Sequence, residues 1–135
     1  MDKRVLSVLL LAVVIGLFAS IVAAQDYSKI PKISYRDAAD HLGEIRWVEG
    51  TVLTTETTDE GVFLVFSNQK RYIRVVVPTQ DLGNFKGGPK YLYQGKKIQA
   101  VGTIVRRPVT FPADQVDDQL LLGVDVPSRI KVVSE

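Results

Sequence analysis

Apolar and polar positions alternate with period two through several stretches of the chain. "YIRVVVP" places Ile73, Val75 and Val77 on one face, with Tyr72, Arg74 and Val76 on the other. "VFLVF" places Leu64 and Phe66 on the first face and Phe63 and Val65 on the second. In "EIRWVEGTVLTTE", Val48 belongs to the inner set and Trp47 to the outer one. "KKIQAVGTIVRR" and "QLLLGVDV" are two further β-branched runs, and "SRIKVV" is a last extended piece. The hairpin signal is strongest at "VFLVF-SNQKR-YIRVVV", where a short polar connection joins two apolar runs. "PVTFPADQVDD", with two prolines, reads as a loop, and the glycine-rich 78–95 stretch as an irregular crossing with room for one helical turn.

"ISYRDAADHLG" carries a helix start and a helix stop. Ser34 can cap a short helix there, Asp37 adds a carboxylate to its first turn, and Gly43 can end it.

Two of the long runs echo one another. "GEIRWVEGTVL" (43–53) and "GKKIQAVGTIV" (95–105) align Gly43 with Gly95 and Gly50-Thr51-Val52 with Gly102-Thr103-Ile104. An interior glycine in a long strand marks a bulge or a bend, and a small barrel needs bends where a strand passes from one part of the sheet to another. Gly50 and Gly102 are therefore expected to be two equivalent corners. Five main strands with one long crossing between the third and fourth predict an all-β fold, a five-stranded OB-type (Greek-key) barrel over residues 33–135, with a short N-terminal helix.

The remaining chain is organised by its start. Lys3 and Arg4 precede an apolar run from Val5 to Ala24, and "VAA" before Gln25 suits a cleavage site. Residues 1–24 read as a signal peptide or an N-terminal membrane anchor, and 25–32 as a linker. Either reading exports the domain to a periplasmic or extracellular location, touching a membrane only through residues 5–24 if these are retained. Cysteine is absent from the 135 residues, which excludes disulfides and thiolate metal sites. The formal net charge is +2, of which Asp2, Lys3 and Arg4 carry +1, so the exported part is near neutral. That argues against binding driven by bulk charge and leaves room for a local basic patch.

"ISYRDAADHLGEIRWVEGTV", "GVFLVF", "IRVVVP", "YQGKKIQAVGTI" and "VPSRIKVV" together resemble a family of small OB-fold, nucleic-acid-binding-like modules, in an exported member. The resemblance spans about residues 33–133 and implies the fold more than the ligand, because its markers are packing and turn residues. "FLVFS" departs from the family's Phe-Leu-Asn-Phe-Gly at Val65 and Ser67. Exported OB-fold proteins of stress tolerance are similar at the level of export plus fold. Membrane-anchored OB-fold haem chaperones are excluded, since they use a histidine in a C-terminal segment and His41 is the one histidine here.

Binding across the second and third strands of such a barrel would place Trp47, Phe63, Tyr72 and Arg74 on the ligand face, beside Val65, with Lys70 and Arg71 at the hairpin tip. Aromatic rings with cations suit single-stranded nucleic acid, and aromatic rings also suit an oligosaccharide. The packing alternative is that Trp47 and Phe63 are covered by neighbouring segments. Lys96, Lys97, Arg106 and Arg107 form a second basic group flanking the fourth strand, where charge also discourages edge pairing. The acidic "DQVDD" (Asp114, Asp117, Asp118) lacks the spacing of a calcium loop, so no metal and no cofactor are expected. No paired acid–base arrangement stands out, and a non-catalytic binding module is expected, the alternative being a protein-interaction or stress-tolerance domain without an oligomeric ligand.

Overall fold

The computed structural model describes residues 26–111 and 115–134; the export segment expected at 1–24 lies outside them. Among the described residues eight strands form, where five were expected: β1 Lys32–Ser34, β2 Ile45–Thr51, β3 Thr54–Thr58, β4 Gly61–Val65, β5 Arg74–Pro78, β6 Lys97–Phe111, β7 Gln115–Gly123 and β8 Ile130–Ser134. The number rises because the first long run is divided at Val52 and Leu53 into β2 and β3, and because β1 and β8 add short strands beside β2 and β6.

The sheet order is β1-β2-β6-β7-β5-β4-β3, with β8 on β6. β5 and β7 run parallel; β2 with β6, β6 with β7, β4 with β5, and β3 with β4 run antiparallel. Apart from β1, the path starts on β2 and ends on β3, two halves of one continuous stretch. The sheet therefore curls towards itself in the manner of an OB fold. Phe66, Leu64, Ile73, Val75, Val77 and Val48 all enter the main core, as their period-two positions predict.

The two echoed segments are partners of each other. β2 pairs β6 with Val48 opposite Ala100, Gly50 opposite Ile98 and Arg46 opposite Gly102. Because Val48 and Ala100 are also equivalent in the echo, a local two-fold axis passes between them and exchanges the two segments. β6 pairs β2 as far as Thr103 and β7 from Ile104, so Gly102 stands just before its change of partner.

Gly50, however, is not a bulge: the β2–β6 register runs through it unbroken. Its reason is contact. A Cβ at Gly50 would lie 2.6 Å from Phe66 Cδ1 and 2.9 Å from Tyr35 Cδ1. At Gly102 a Cβ would meet Leu122 Cγ at 3.1 Å and the Gly123 carbonyl at 3.2 Å.

The expected helix forms as a 3-10 helix, Tyr35–His41, with Ser34 Oγ accepting from the Arg36 amide at 3.2 Å. Seven residues are too few to hold an α-helix by themselves, and burial of Ala38 in the core secures this one. The 78–95 crossing carries a 3-10 turn, Thr79–Asn84, and one α-helix, α1 Pro89–Tyr93, with proline at its first position. Phe85 and Tyr93 from this crossing meet edge to face at 6.3 Å in the main core.

Of the 108–118 segment, expected as a loop, residues 108–111 and 115–118 are instead the paired ends of β6 and β7, with Pro108 opposite Asp118 and Val109 opposite Asp117. β6 pairs only β7 over this part, so proline disrupts no second ladder. Residues 26–34 pack on the barrel. Asp26 caps the 3-10 turn Tyr27–Lys29, and β1 runs parallel to β2. No helix among the described residues is long and apolar enough to cross a membrane.

Candidate nucleic-acid interface

The outer face of β4 and β5 is covered, and apart from Arg74 it is apolar. Phe63, Val65 and Val76 form a second core with Val109 of β6 and Leu121 of β7. Phe63 is 0% exposed, so its expected place on a ligand face is corrected: period-two alternation turned it outward from the barrel, and the β6–β7 hairpin arms cover it. Arg107 meets Glu60 at 3.2 Å and Lys70 meets Asp117 at 3.3 Å, ion pairs between the hairpin and the β3–β4 and β4–β5 connections.

Trp47 is also outside the barrel and also covered, at 6% exposed. Its Nε1 donates to the Tyr27 carbonyl at 2.8 Å, and Lys131 Nζ sits 4.4 Å from its ring centre. Arg74 is 4% exposed, its Nη1 donating to Glu56 Oε2 at 2.8 Å. A guanidinium so placed serves the fold before any ligand. Of the expected site residues, Arg71 and Lys70 are exposed and Tyr72 is half-buried.

Tyr72 and Arg71 open onto a groove of about 340 Å³ that also takes in Tyr35, Arg36, Ala39, Arg106 and Leu120. Each wall follows from local structure. The Ser34 cap turns the chain so that Tyr35 stacks on Phe66, ring centres 5.3 Å apart and planes inclined by 29°. Tyr72 meets the Tyr35 ring edge to face, ring centres 5.4 Å apart. The connection before β5 is shaped by Ser67 Oγ, which accepts from the Gln69 amide, and by the Tyr72 amide, which donates to the Gln69 carbonyl. Beneath it, buried Gln119 donates to the carbonyls of Tyr72 at 2.9 Å and Leu120 at 3.0 Å, tying the connection to β7. Arg106 projects from β6 opposite Leu120.

The cations sit on the rings. The Arg71 guanidinium lies 4.7 Å from the Tyr72 ring centre and its Nη2 donates to Tyr72 Oη at 2.9 Å; that of Arg36 lies 5.4 Å from the Tyr35 ring centre. Among the described residues, Arg36, Arg71 and Arg106 form no ion pair with a carboxylate, whereas Arg46, Arg74, Arg107 and Arg129 do. The groove thus carries three guanidinium groups that no described carboxylate neutralises, and the tyrosines hold two of them in place. Tyr35 and Arg36 were not singled out by the sequence. Their signal was present: "YR" at 35–36 mirrors "RY" at 71–72, two Tyr–Arg neighbours flanking the first and second parts of the barrel.

No protein-family model matches the chain, and no curated protein matches it. Solved structures do share its fold. An aspartyl-tRNA synthetase from Entamoeba histolytica superposes with a TM-score of 0.54 at 12% identity, over 82% of this chain and 23% of that one. A putative aspartyl-tRNA synthetase from Leishmania major Friedlin gives a TM-score of 0.50 at 13% identity, over 83% of this chain and 22% of that one. The chain therefore spans less than a quarter of the length of these enzymes, and at such identity the likeness is one of fold.

Proposed function

We propose that the chain is an exported, non-catalytic OB-fold module that binds single-stranded nucleic acid in the Tyr35–Tyr72 groove. The observation that carries this reading is the convergence of Arg36, Arg71 and Arg106, none ion-paired to a described carboxylate, around two tyrosine rings. Arginine forks match phosphate oxygens, and aromatic rings beside a cationic track give bases a surface to stack on. The aspartyl-tRNA synthetases that share the fold act on an RNA, which agrees with a nucleic-acid ligand. Export rests on the apolar Val5–Ala24 run after Lys3 and Arg4.

The site differs from the strand face first expected, because the β6–β7 hairpin occupies that face. Ligand contact then falls on the 3-10 helix, the β4–β5 connection and the rim of β6. The test is titration of a fluorescein-labelled oligo-dT by anisotropy at several salt concentrations. Three phosphate contacts give a log–log slope of about −2, from roughly −0.7 for each contact on a single strand. Arg71→Ala or Arg106→Ala should each flatten the slope by about 0.7. Affinity that is independent of salt, or unaltered in both variants, would falsify the assignment. Salt-insensitive binding of an oligosaccharide instead would favour a sugar ligand.

A further inference from the structure

We infer that the outer face of β2 and β6 beside Tyr27 rests on a lipid bilayer while the apolar Val5–Ala24 run is retained. The inference uses the export reading of that run and is independent of the nucleic-acid reading of the arginine groove.

The chain that follows the run has no slack. The 25–32 stretch, expected as a linker, is instead fastened to the barrel from Asp26 on. The Asp26 carboxylate accepts from the Ser28 amide at 2.9 Å and from its hydroxyl at 2.8 Å. The Tyr27 carbonyl accepts from Trp47 Nε1 at 2.8 Å, and the Pro31 carbonyl accepts from the Trp47 amide at 3.0 Å. β1 then pairs with β2. Ala24 and Tyr27 are separated by Gln25 and Asp26, so even fully extended chain between them spans at most about 11 Å. The headgroup layer on each side of the hydrocarbon is roughly 5–8 Å thick. A run that ends at the edge of the hydrocarbon therefore holds Tyr27 in the headgroup layer or just outside it.

The surface brought there suits that place. Tyr27 opens onto a cavity of about 310 Å³ shared with Ile45, Val105, Gly123 and Arg129. Ile45 and Val105 are 43% and 40% exposed although apolar. They share the outer face with Trp47, which residues 27–31 cover, and with Leu121, which belongs to the second core. Between those two covers Ile45 and Val105 stay open. Gly123 is exposed as well, and no described atom lies within 4 Å of a notional Cβ there. Cations stand beside the opening. The Arg129 guanidinium lies 5.6 Å from the Tyr27 ring centre and 3.2 Å from Asp125, and the exposed Lys131 has its Nζ 4.4 Å from the Trp47 ring centre. Such side chains lay their stems on rings and turn their charge to water or phosphate. A tyrosine, branched apolar side chains and flanking cations together are the composition of a surface at the membrane–water boundary.

The groove is turned the other way. Val105 stands opposite Leu121 of the second core, whereas Arg106 stands opposite Leu120 of the main core, so the two take opposite sides of β6. A domain resting on Val105 keeps Arg106 and its groove open to solution. A second copy of the chain would also cover Ile45 and Val105; the attachment of Val5–Ala24 at the edge of this same face favours the bilayer.

The experiment uses the full chain, whose lack of cysteine makes single-site labelling direct. Ile45→Cys, Val105→Cys and, on the groove side, Asn68→Cys are each labelled with nitrobenzoxadiazole and reconstituted into phosphatidylcholine–phosphatidylglycerol vesicles. All three positions are exposed, and melting curves check that each labelled protein folds. Thr103→Cys, exposed on the same face opposite Ile45, replaces either face variant that does not. Lipid spin-labelled near the headgroup end of its acyl chain quenches dyes that touch the bilayer. The dyes at 45 and 105 should be blue-shifted and quenched, and the dye at 68 neither. Flotation with the vesicles but no quenching at 45 and 105 overturns the docked face and leaves the membrane reading of the run standing. Blue-shifted emission without quenching also overturns it, since protein and not lipid then covers the face. Equal quenching at all three positions overturns it too, because the domain then has no fixed orientation. A chain that does not float with the vesicles removes the anchor and the docked face together.

Discussion

Gly43 and Gly95, 52 positions apart, make the same hydrogen bond on opposite sides of one axis. The Gly43 amide donates to the Ile104 carbonyl at 2.7 Å, and the Gly95 amide donates to the Val52 carbonyl at 2.7 Å. Both glycines have positive φ, 81° and 82°. The next bonds repeat the relation, Ile104 N to Glu44 O at 3.0 Å and Val52 N to Lys96 O at 2.9 Å. The echo in the sequence is thus a local two-fold in the sheet: each segment turns through a left-handed glycine and then pairs with the other. Neither glycine has a described atom within 4 Å of a notional Cβ, so backbone conformation alone sets the cost of replacing it. Gly43→Ala and Gly95→Ala should each lose about 1 kcal/mol, equally within error, in urea denaturation.

Gly50 and Gly102 should differ from that pair and from each other. A methyl at Gly50 strikes two aromatic rings that are themselves packed, and overpacking of this kind costs roughly 1–3 kcal/mol. At Gly102 the crowding is milder, against the end of Leu122 and a carbonyl. Gly50→Ala should therefore be the more destabilising in the same denaturation experiment. An equal or reversed order would show that strand bending, not contact with Phe66 and Tyr35, is what Gly50 serves.

Phe63 and Tyr72 separate packing from binding. Phe63→Ala empties part of the second core and should cost about 3–5 kcal/mol of stability. Tyr72→Ala should cost far less stability and weaken oligonucleotide binding by about 1–3 kcal/mol, the worth of one stacked base. Melting curves paired with anisotropy titrations on both variants read the two effects independently.

A similar contrast holds for the arginines. Arg74 is buried while its partner Glu56 is 39% exposed and can be solvated once released, so Arg74→Ala should destabilise by roughly 1–3 kcal/mol, chiefly through the lost packing of a buried side chain. Arg71 is exposed, so Arg71→Ala should stay within about 0.5 kcal/mol of wild type and act on the salt slope of binding alone. A destabilised Arg71→Ala protein would mean that the Tyr72 contact is structural.

Acid should weaken the β2–β6 pair through Glu49. Its carboxyl is held below its ordinary value, first by the Gln99 hydrogen bond and then by Lys32 and Lys97, against the opposing effect of burial. A lowered folded-state value means stability that is present above the unfolded value and lost as pH falls through the folded one. The melting temperature of wild type should exceed that of Glu49→Gln at neutral pH, and the gap should close below about pH 4. A gap that is constant with pH would show that the loss on substitution owes nothing to the charge.

The inner face of the barrel is legible in the alternation of residues alone. Ile73, Val75 and Val77, Leu64 and Phe66, and Val48 all point where period two sends them, because alternation is a property of the strand itself. The Ser34 cap and the left-handed Gly43 are legible for the same reason: each is decided within a few residues. The division of the first long run into β2 and β3 is not, since a strand is defined by its partners, and β2 and β3 have different ones.

Which outward residues meet solvent was decided only by the tertiary structure. Trp47, Phe63, Tyr72 and Arg74 all leave the inner face, and nothing in the alternation around them distinguishes them. Phe63 is sealed by Val109 and Leu121, Trp47 by Tyr27 and Lys131, and Arg74 is bound to Glu56, while Tyr72 remains open beside Tyr35 and Arg36. The segments that cover or complete these positions come from distant parts of the chain. Sequence periodicity determined which side of the sheet each residue takes; long-range packing determined what lies over it, because burial is a property of pairs of segments and period two is a property of one.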